Sequence, residues 1–200
     1  SLERTRLETR RRAYALYRQA ASLLQQANRD LTQAEQAAAI ETYGTAAEIC
    51  EAVSRKLIDA QGLFEQVLQI DPAQPRAQRY AGATQREVEQ VDALHRQAVS
   101  LSQAHSALAI GDFGQAIEMA RGVLSLDRGH TGAQTLLARA RTQQLIALEQ
   151  TAKTLIAGGN YGDAKAQVQQ LCSLSPERPE ARLLKIEADE DLPVLRYDEN

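Results

Sequence analysis

The residues able to do chemistry are few, and their spacing defeats the usual arrangements. A metal site on a helix needs ligands three or four residues apart, so that they share a face. The chain has three histidines, and His95 and His105 stand ten residues apart. Cys50 and Cys172 make no disulfide framework, although one bridge between them stays open. Cys50 has no base near it in sequence, and Cys172 reads as a small buried hydrophobe. No Ser-His-Asp set and no carboxylate pair has a setting that favours catalysis over a solvated helix face. The cluster Gly158-Gly159-Asn160-Tyr161-Gly162 has the glycines of a phosphate loop but neither the following Lys-Ser/Thr nor a preceding strand, so it reads as a turn. The expectation is a protein that is not an enzyme and carries no metal or cofactor.

Charge is more informative by position than by amount. A net charge of −3 and a pI of about 5.7 argue against a nucleic-acid binder working through bulk positive charge. Residues 1–18 hold six arginines (Arg4, Arg6, Arg10, Arg11, Arg12, Arg18) against Glu3 and Glu8, a net of +4. Residues 185–200 hold Lys185 and Arg196 against six carboxylates, a net of −4. The basic head admits three readings: a solvated helix start, a membrane or other anionic-surface contact through its arginines, or a contact with the acidic end of another chain, which would make the protein self-associate. No apolar run approaches the roughly 20 residues that span a bilayer, and no signal peptide precedes the helices. With two cysteines that suit a reducing compartment, the expected location is cytoplasmic. Beginning with Ser and ending on Asp-Glu-Asn, the chain reads as part of something longer.

The elements that must position these groups are helices. Of the 44% hydrophobic residues, 34 are alanines, with two phenylalanines, one methionine and no tryptophan, and the chain also has 22 glutamines. Alanine and glutamine favour helix but bury little area per residue, which suits thin helix-on-helix layers. Alternating β-branched runs are absent, and the predicted class is all-α.

One pattern organises the helices. Gly111-Asp112-Phe113, then Ala116, Val123, Leu124, Leu126 and Asp127, is matched by Gly159-Asn160-Tyr161, then Ala164, Leu171, Cys172, Leu174 and Ser175. A third, partial copy closes at Phe64, Val67, Leu68, Ile70, Asp71 and Pro72. After the closing residues come Pro75 and Ala77, Thr131 and Ala133, or Pro179 and Ala181. Proline there suits the first turn of a new helix, where its missing N–H leaves no donor unpaired. Asp112 with Gln115, and Asn160 with Asp163, have the spacing of an N-terminal cap.

On these residues the chain resembles the tetratricopeptide repeat family over roughly residues 45–190. Its spacing departs from the family's, since Asp71 to Asp127 is 56 residues and Asp127 to Ser175 is 48, against about 34 for the usual repeat. Both excesses are close to whole numbers of helical turns, which lengthens a helix without rotating its buried face. The stretch after Pro75 should therefore form an unusually long helix, about 55 Å at about 1.5 Å per residue. The resemblance implies an α-α superhelix whose concave surface, lined by the first helix of each hairpin, receives a peptide or helix of a protein partner. The lining residues it implies are Leu101, His105 and Leu108 on one helix and Glu149, Lys153 and Ile156 on the next. The family's clamp for a C-terminal carboxylate uses paired lysines and asparagines, of which only Lys153 is present there.

In order, residues 1–44 read as a long helix, basic at its start. Its apolar face carries Ala13, Leu16, Ala20, Leu23 and Ala27, with Tyr14, Tyr17, Ala21, Leu24 and Leu31 beside it. Tyr43-Gly44-Thr45 reads as the break after it. Residues 45–190 read as repeats closed by a capping helix with a solvated outer face, and 191–200 as a tail or linker. About seven helices are expected. The alternative function is structural: a rod-like or coiled-coil element that self-assembles.

Overall fold

The computed structural model describes residues 2–189, and side chains from residue 3 onward. These residues form seven helices and no strands: α1 (Leu2–Ala39), α2 (Tyr43–Ile70), α3 (Pro75–Ala109), α4 (Phe113–Leu126), α5 (Thr131–Ala157), α6 (Tyr161–Leu174) and α7 (Pro179–Asp189). The fold is all-α. Glu190 and the tail 191–200 lie outside the described residues.

The packing is sequential. Each helix lies against the next, and the odd-numbered helices also touch in turn, α1 with α3, α3 with α5 and α5 with α7. In the first three the buried positions follow a seven-residue rhythm. On α1 they include Ala13, Ala20, Ala27 and Ala34, on α3 Ala77, Thr84, Val91 and Ala98. On α2 Tyr43, Ala46, Cys50, Val53, Leu57, Ala60, Phe64 and Val67 alternate steps of three and four. A sustained heptad keeps one seam facing its neighbours along long helices, and the alanines let the backbones approach closely. Polar ties fix the register: Lys56 on α2 pairs with Asp30 on α1, and Ser54 Oγ donates to Asp92 Oδ1 on α3 at 3.0 Å.

Three larger cores succeed one another along the described residues, with a small cluster of Ala37, Ala46, Ala47 and Ala98 where α1, α2 and α3 meet. The first joins α1, α2 and the N-terminal half of α3 around Leu57 and Phe64. The second joins Tyr43, the C-terminal half of α3, α4 and the start of α5. The third joins the end of α5 with α6 and α7. Helices α3 and α5 each serve two of these cores. The expected long N-terminal helix packs along α2 in the first core, with residues 3–12 exposed. Tyr14, placed on its apolar face by periodicity, is 62% exposed because that turn lies at the rim of the seam.

The turns repeat more faithfully than the helices. At the tops of α4 and α6, Gly111 and Gly159 have φ of 82° and 74°. Their followers Asp112 and Asn160 donate N–H bonds to Ala107 and Leu155, both at 2.9 Å. Asp112 Oδ1 caps Gln115 N–H at 3.0 Å, and Asn160 Oδ1 meets Asp163 N–H at 3.5 Å. The same turn occurs between α1 and α2, with Glu41 at φ 62° in the glycine's place and Thr42 N–H bonded to Ala37 O at 2.9 Å. The break thus lies before Tyr43, and Tyr43 itself is the first residue of α2, one position earlier than its neighbour Gly44 suggested. Tyr43, Phe113 and Tyr161 are equivalent, as are the fully buried Ala46, Ala116 and Ala164. Helix α2, at 28 residues, is twice the 14 of α4 and α6, an insertion of two heptads between identical turns.

At the other end, the exposed outer face of α7 is partly apolar. Its inner face buries Ala181, Leu184 and Ala188, but Leu183 and Ile186 are 60% and 55% exposed on the other side.

Candidate functional site

The six residues that the resemblance assigned to a groove are not brought together into one. Leu101 and Leu108 are 0% and 7% exposed in the second core. They cannot meet a partner without opening it, because α4 covers the half of α3 that carries them. His105 is half-buried, its ring tilted against Tyr43 with centroids 5.4 Å apart. Glu149 spends both carboxylate oxygens inside the molecule: Lys153 Nζ donates to Oε1 at 2.7 Å, and Arg178, at the start of α7, donates to Oε2 at 2.9 Å. The Lys153 hydrogen bond, with the charges of Lys153 and Arg178, holds the Glu149 carboxyl below its ordinary range against a smaller opposing effect of burial. Lys153 is exposed but engaged by Glu149, and Ile156 is half-buried against the third core.

A shallow, open depression lies between α1 and α3, over α2. It is lined by the exposed Tyr80, with the buried Leu24 and Phe64 behind it, and rimmed by Gln25, Asn28, Arg29 and Thr32, with a volume of about 490 Å³. The rings of Tyr17, Phe64 and Tyr80 form a cluster: Phe64 and Tyr80 stack at 5.6 Å and 17°, while Tyr17 meets Phe64 edge-on at 5.9 Å and Tyr80 at 6.2 Å. Aromatic pairs in these geometries are worth about 0.5–1.5 kcal/mol beyond their buried area, which favours the observed placement of the Tyr80 ring. The heptad explains the opening. Helix α1 uses its alanine stripe, and α3 its Ala77–Thr84–Val91–Ala98 stripe, against α2, which leaves the polar edge of α1 facing the gap.

Two further features frame this part of the molecule. Glu87, seven residues beyond Tyr80 on α3, has Oε2 buried without a hydrogen-bond partner among the described residues, and burial pushes its carboxyl up. At the open end of α1 a larger cleft of about 790 Å³ is bounded by Arg6, Arg10, Tyr14, Ile70, Asp71 and Gln74. Neither arginine has a carboxylate within 4.0 Å among the described residues, whereas Arg4 reaches Glu8 at 3.6 Å.

Reactive chemistry has no comparable setting. Among the described residues no three His, Cys, Asp or Glu side chains converge as metal ligands. Cys50 is fully buried, and burial, followed by the charge of Glu35, pushes its thiol up, away from the nucleophilic thiolate. Cys172 lies between α6 and α7 with Sγ 3.6 Å from the Ala181 carbonyl. His95 Nδ1 lies 3.0 Å from the Ala47 carbonyl; since a carbonyl only accepts, Nδ1 carries the proton. No described helix is long and apolar enough to cross a membrane.

What fold and site define is an all-α chain of helical hairpins with a shallow groove that exposes Tyr80. Comparison with protein-family models, curated proteins and solved structures finds no match.

Proposed function

We propose that this chain is a tetratricopeptide-like interaction module that binds a protein segment in the α1–α3 groove, without catalysis. The observation that carries the reading is the exposed Tyr80 ring, stacked on the buried Phe64, beside a rim of amide and guanidinium donors. Such a surface fits a segment that places one apolar anchor on Tyr80 and a neighbouring carboxylate near Arg29. Support for a superhelical arrangement comes from the succession of odd-numbered helix contacts and the three equivalent turns. First helices lining a common side is the family's arrangement, and here the usable lining falls on α1 and α3.

Peptides selected from a displayed random library against the whole chain test this. Hydrogen exchange with a selected peptide bound should protect α1 and α3 at the groove. Tyr80→Ala or Arg29→Glu should weaken binding about tenfold, roughly the 1.4 kcal/mol of one good contact. Protection confined to α4 or to the outer face of α2 would sink the reading.

A structural role is the second reading, favoured by the uninterrupted heptads of α1–α3. It predicts an elongated oligomer held by apolar seams, whose mass in sedimentation does not change with salt.

A further inference from the structure

We infer that the cleft at the open end of α1 is an acceptor for the acidic C-terminal segment, residues 192–199, of a second copy of this chain. The contact stands whether or not the α1–α3 groove takes a peptide, because it uses a different cleft.

The cleft supplies charge and apolar wall together. Arg6 and Arg10 are four residues apart, hence on one face of α1, and both line it. Beneath them Tyr14, largely exposed, and Ile70 form an apolar strip. Gln74, which precedes the first residue of α3 and makes no side-chain cap, completes the lining. Asp71 is the one carboxylate of the lining.

The segment Leu-Pro-Val-Leu-Arg-Tyr-Asp-Glu matches this composition in kind. Leu192, Val194, Leu195 and Tyr197 are apolar or aromatic, Asp198 and Glu199 are the counterpart of Arg6 and Arg10, and Arg196 is the counterpart of Asp71. Arginine and carboxylate pair most strongly when the fork is bidentate and the site partly dry, and the cleft walls provide that.

The segment of the same chain does not reach. From Asp189, ten further residues extend at most about 35 Å. The cleft lies at the Ile70 end of α2, and Gly132 at the start of α5 abuts Tyr43 at the other end, about 40 Å away at about 1.5 Å per residue. Helix α7 begins beside Glu149, a further stretch of about 25 Å along α5. The contact is therefore between copies. Because it joins two different surfaces it is heterologous, and it builds open chains or rings rather than a closed pair.

Sedimentation velocity of the whole chain at several salt concentrations tests this. At low salt the mass should rise with concentration, and it should fall as salt screens the contact over a Debye length of about 8 Å at physiological strength. Arg6→Glu with Arg10→Glu should lower the association constant by about tenfold or more, whereas Arg11→Glu with Arg12→Glu, the same change in net charge outside the cleft, should lower it less than about threefold. Mixing the Arg6→Glu/Arg10→Glu chain with an Asp198→Arg/Glu199→Arg chain should restore association that neither shows alone. A synthetic peptide of residues 190–200 should return assemblies to the smallest species. Equal loss from both arginine pairs, or a mass indifferent to salt and to Arg6→Glu/Arg10→Glu, overturns the assignment. So does failure of the mixture to associate.

Discussion

The phenol of Tyr43 on α2 occupies the space that a Cβ on residue 132 of α5 would need, with the ring carbon Cζ 3.2 Å from that position. The same ring lies against His105 of α3. One buried tyrosine thus locks three helices where the first core gives way to the second, and Gly132 is there for want of room.

Gly132→Ala should destabilise by about 1–3 kcal/mol, the usual cost of overpacking. Tyr43→Phe in the same chain removes the colliding oxygen and should recover a large part of the loss. A urea-unfolding double-mutant cycle measures the coupling, and a coupling energy near zero would refute the contact.

Glycine and non-glycine substitutions at the equivalent turns should have opposite signs. Gly111→Ala and Gly159→Ala each force a side chain into left-handed backbone and should cost about 1 kcal/mol, with no steric neighbour to complicate the reading. Glu41→Gly relieves the same strain and should be neutral to stabilising by up to about 1 kcal/mol, after the entropy of glycine is subtracted. Loss of stability on Glu41→Gly would mean that the glutamate makes a compensating contact.

Ala116→Leu and Ala164→Leu should each cost about 1–3 kcal/mol, since both alanines are fully buried at hairpin contacts. Leu101→Ala should cost about 2–5 kcal/mol by opening a cavity, and Leu101→Glu with Leu108→Glu should unfold the second core rather than abolish binding on an intact fold. Circular dichroism melts decide all four; a helical, cooperatively melting double glutamate variant would return those leucines to the surface.

Glu149 gives a pH dependence of known sign. Its carboxyl is held below its unfolded value, chiefly by Lys153 and then Arg178. The ionised form therefore stabilises the fold fully above the unfolded carboxylate range, about pH 4.3, and that contribution is lost as pH falls through the lower folded value. The melting temperature of the parent should exceed that of Glu149→Gln at pH 7, and the gap should narrow as pH falls below the unfolded carboxylate range of about 4.3. A gap that widens on acidification contradicts the Lys153–Glu149–Arg178 tie.

Legibility followed the length scale of each interaction. The starts of α4 and α6 are readable because their signals are local: a glycine, a short polar cap and an aromatic first turn. The turn at Glu41 carries no glycine, so the break reads too late, at Tyr43-Gly44-Thr45, although Thr42, Tyr43 and Ala46 stand at the offsets of Asp112, Phe113 and Ala116. Periodicity marks an apolar stripe but not what covers it, so Leu101 and Leu108 passed for groove residues when α4 lies on them. The tie from Glu149 to Arg178 spans 29 residues and two turns, beyond any pattern in the sequence. Tyr17 and Tyr80 carried a usable signal, being among the few aromatic residues of an alanine-rich chain, but only the fold brings them together.

Helices α3 and α5 each belong to two successive cores, and this has a mechanical meaning. A molecule pulled from its ends would not give way everywhere at once. Each core can rupture as a unit while the helix it shares with its neighbour stays anchored by the intact half, so tension is handed on rather than released. The force-extension trace should then be a staircase, its first step falling in the α5–α7 core, where the buried side chains are the fewest of the three larger cores and α7 is the shortest helix.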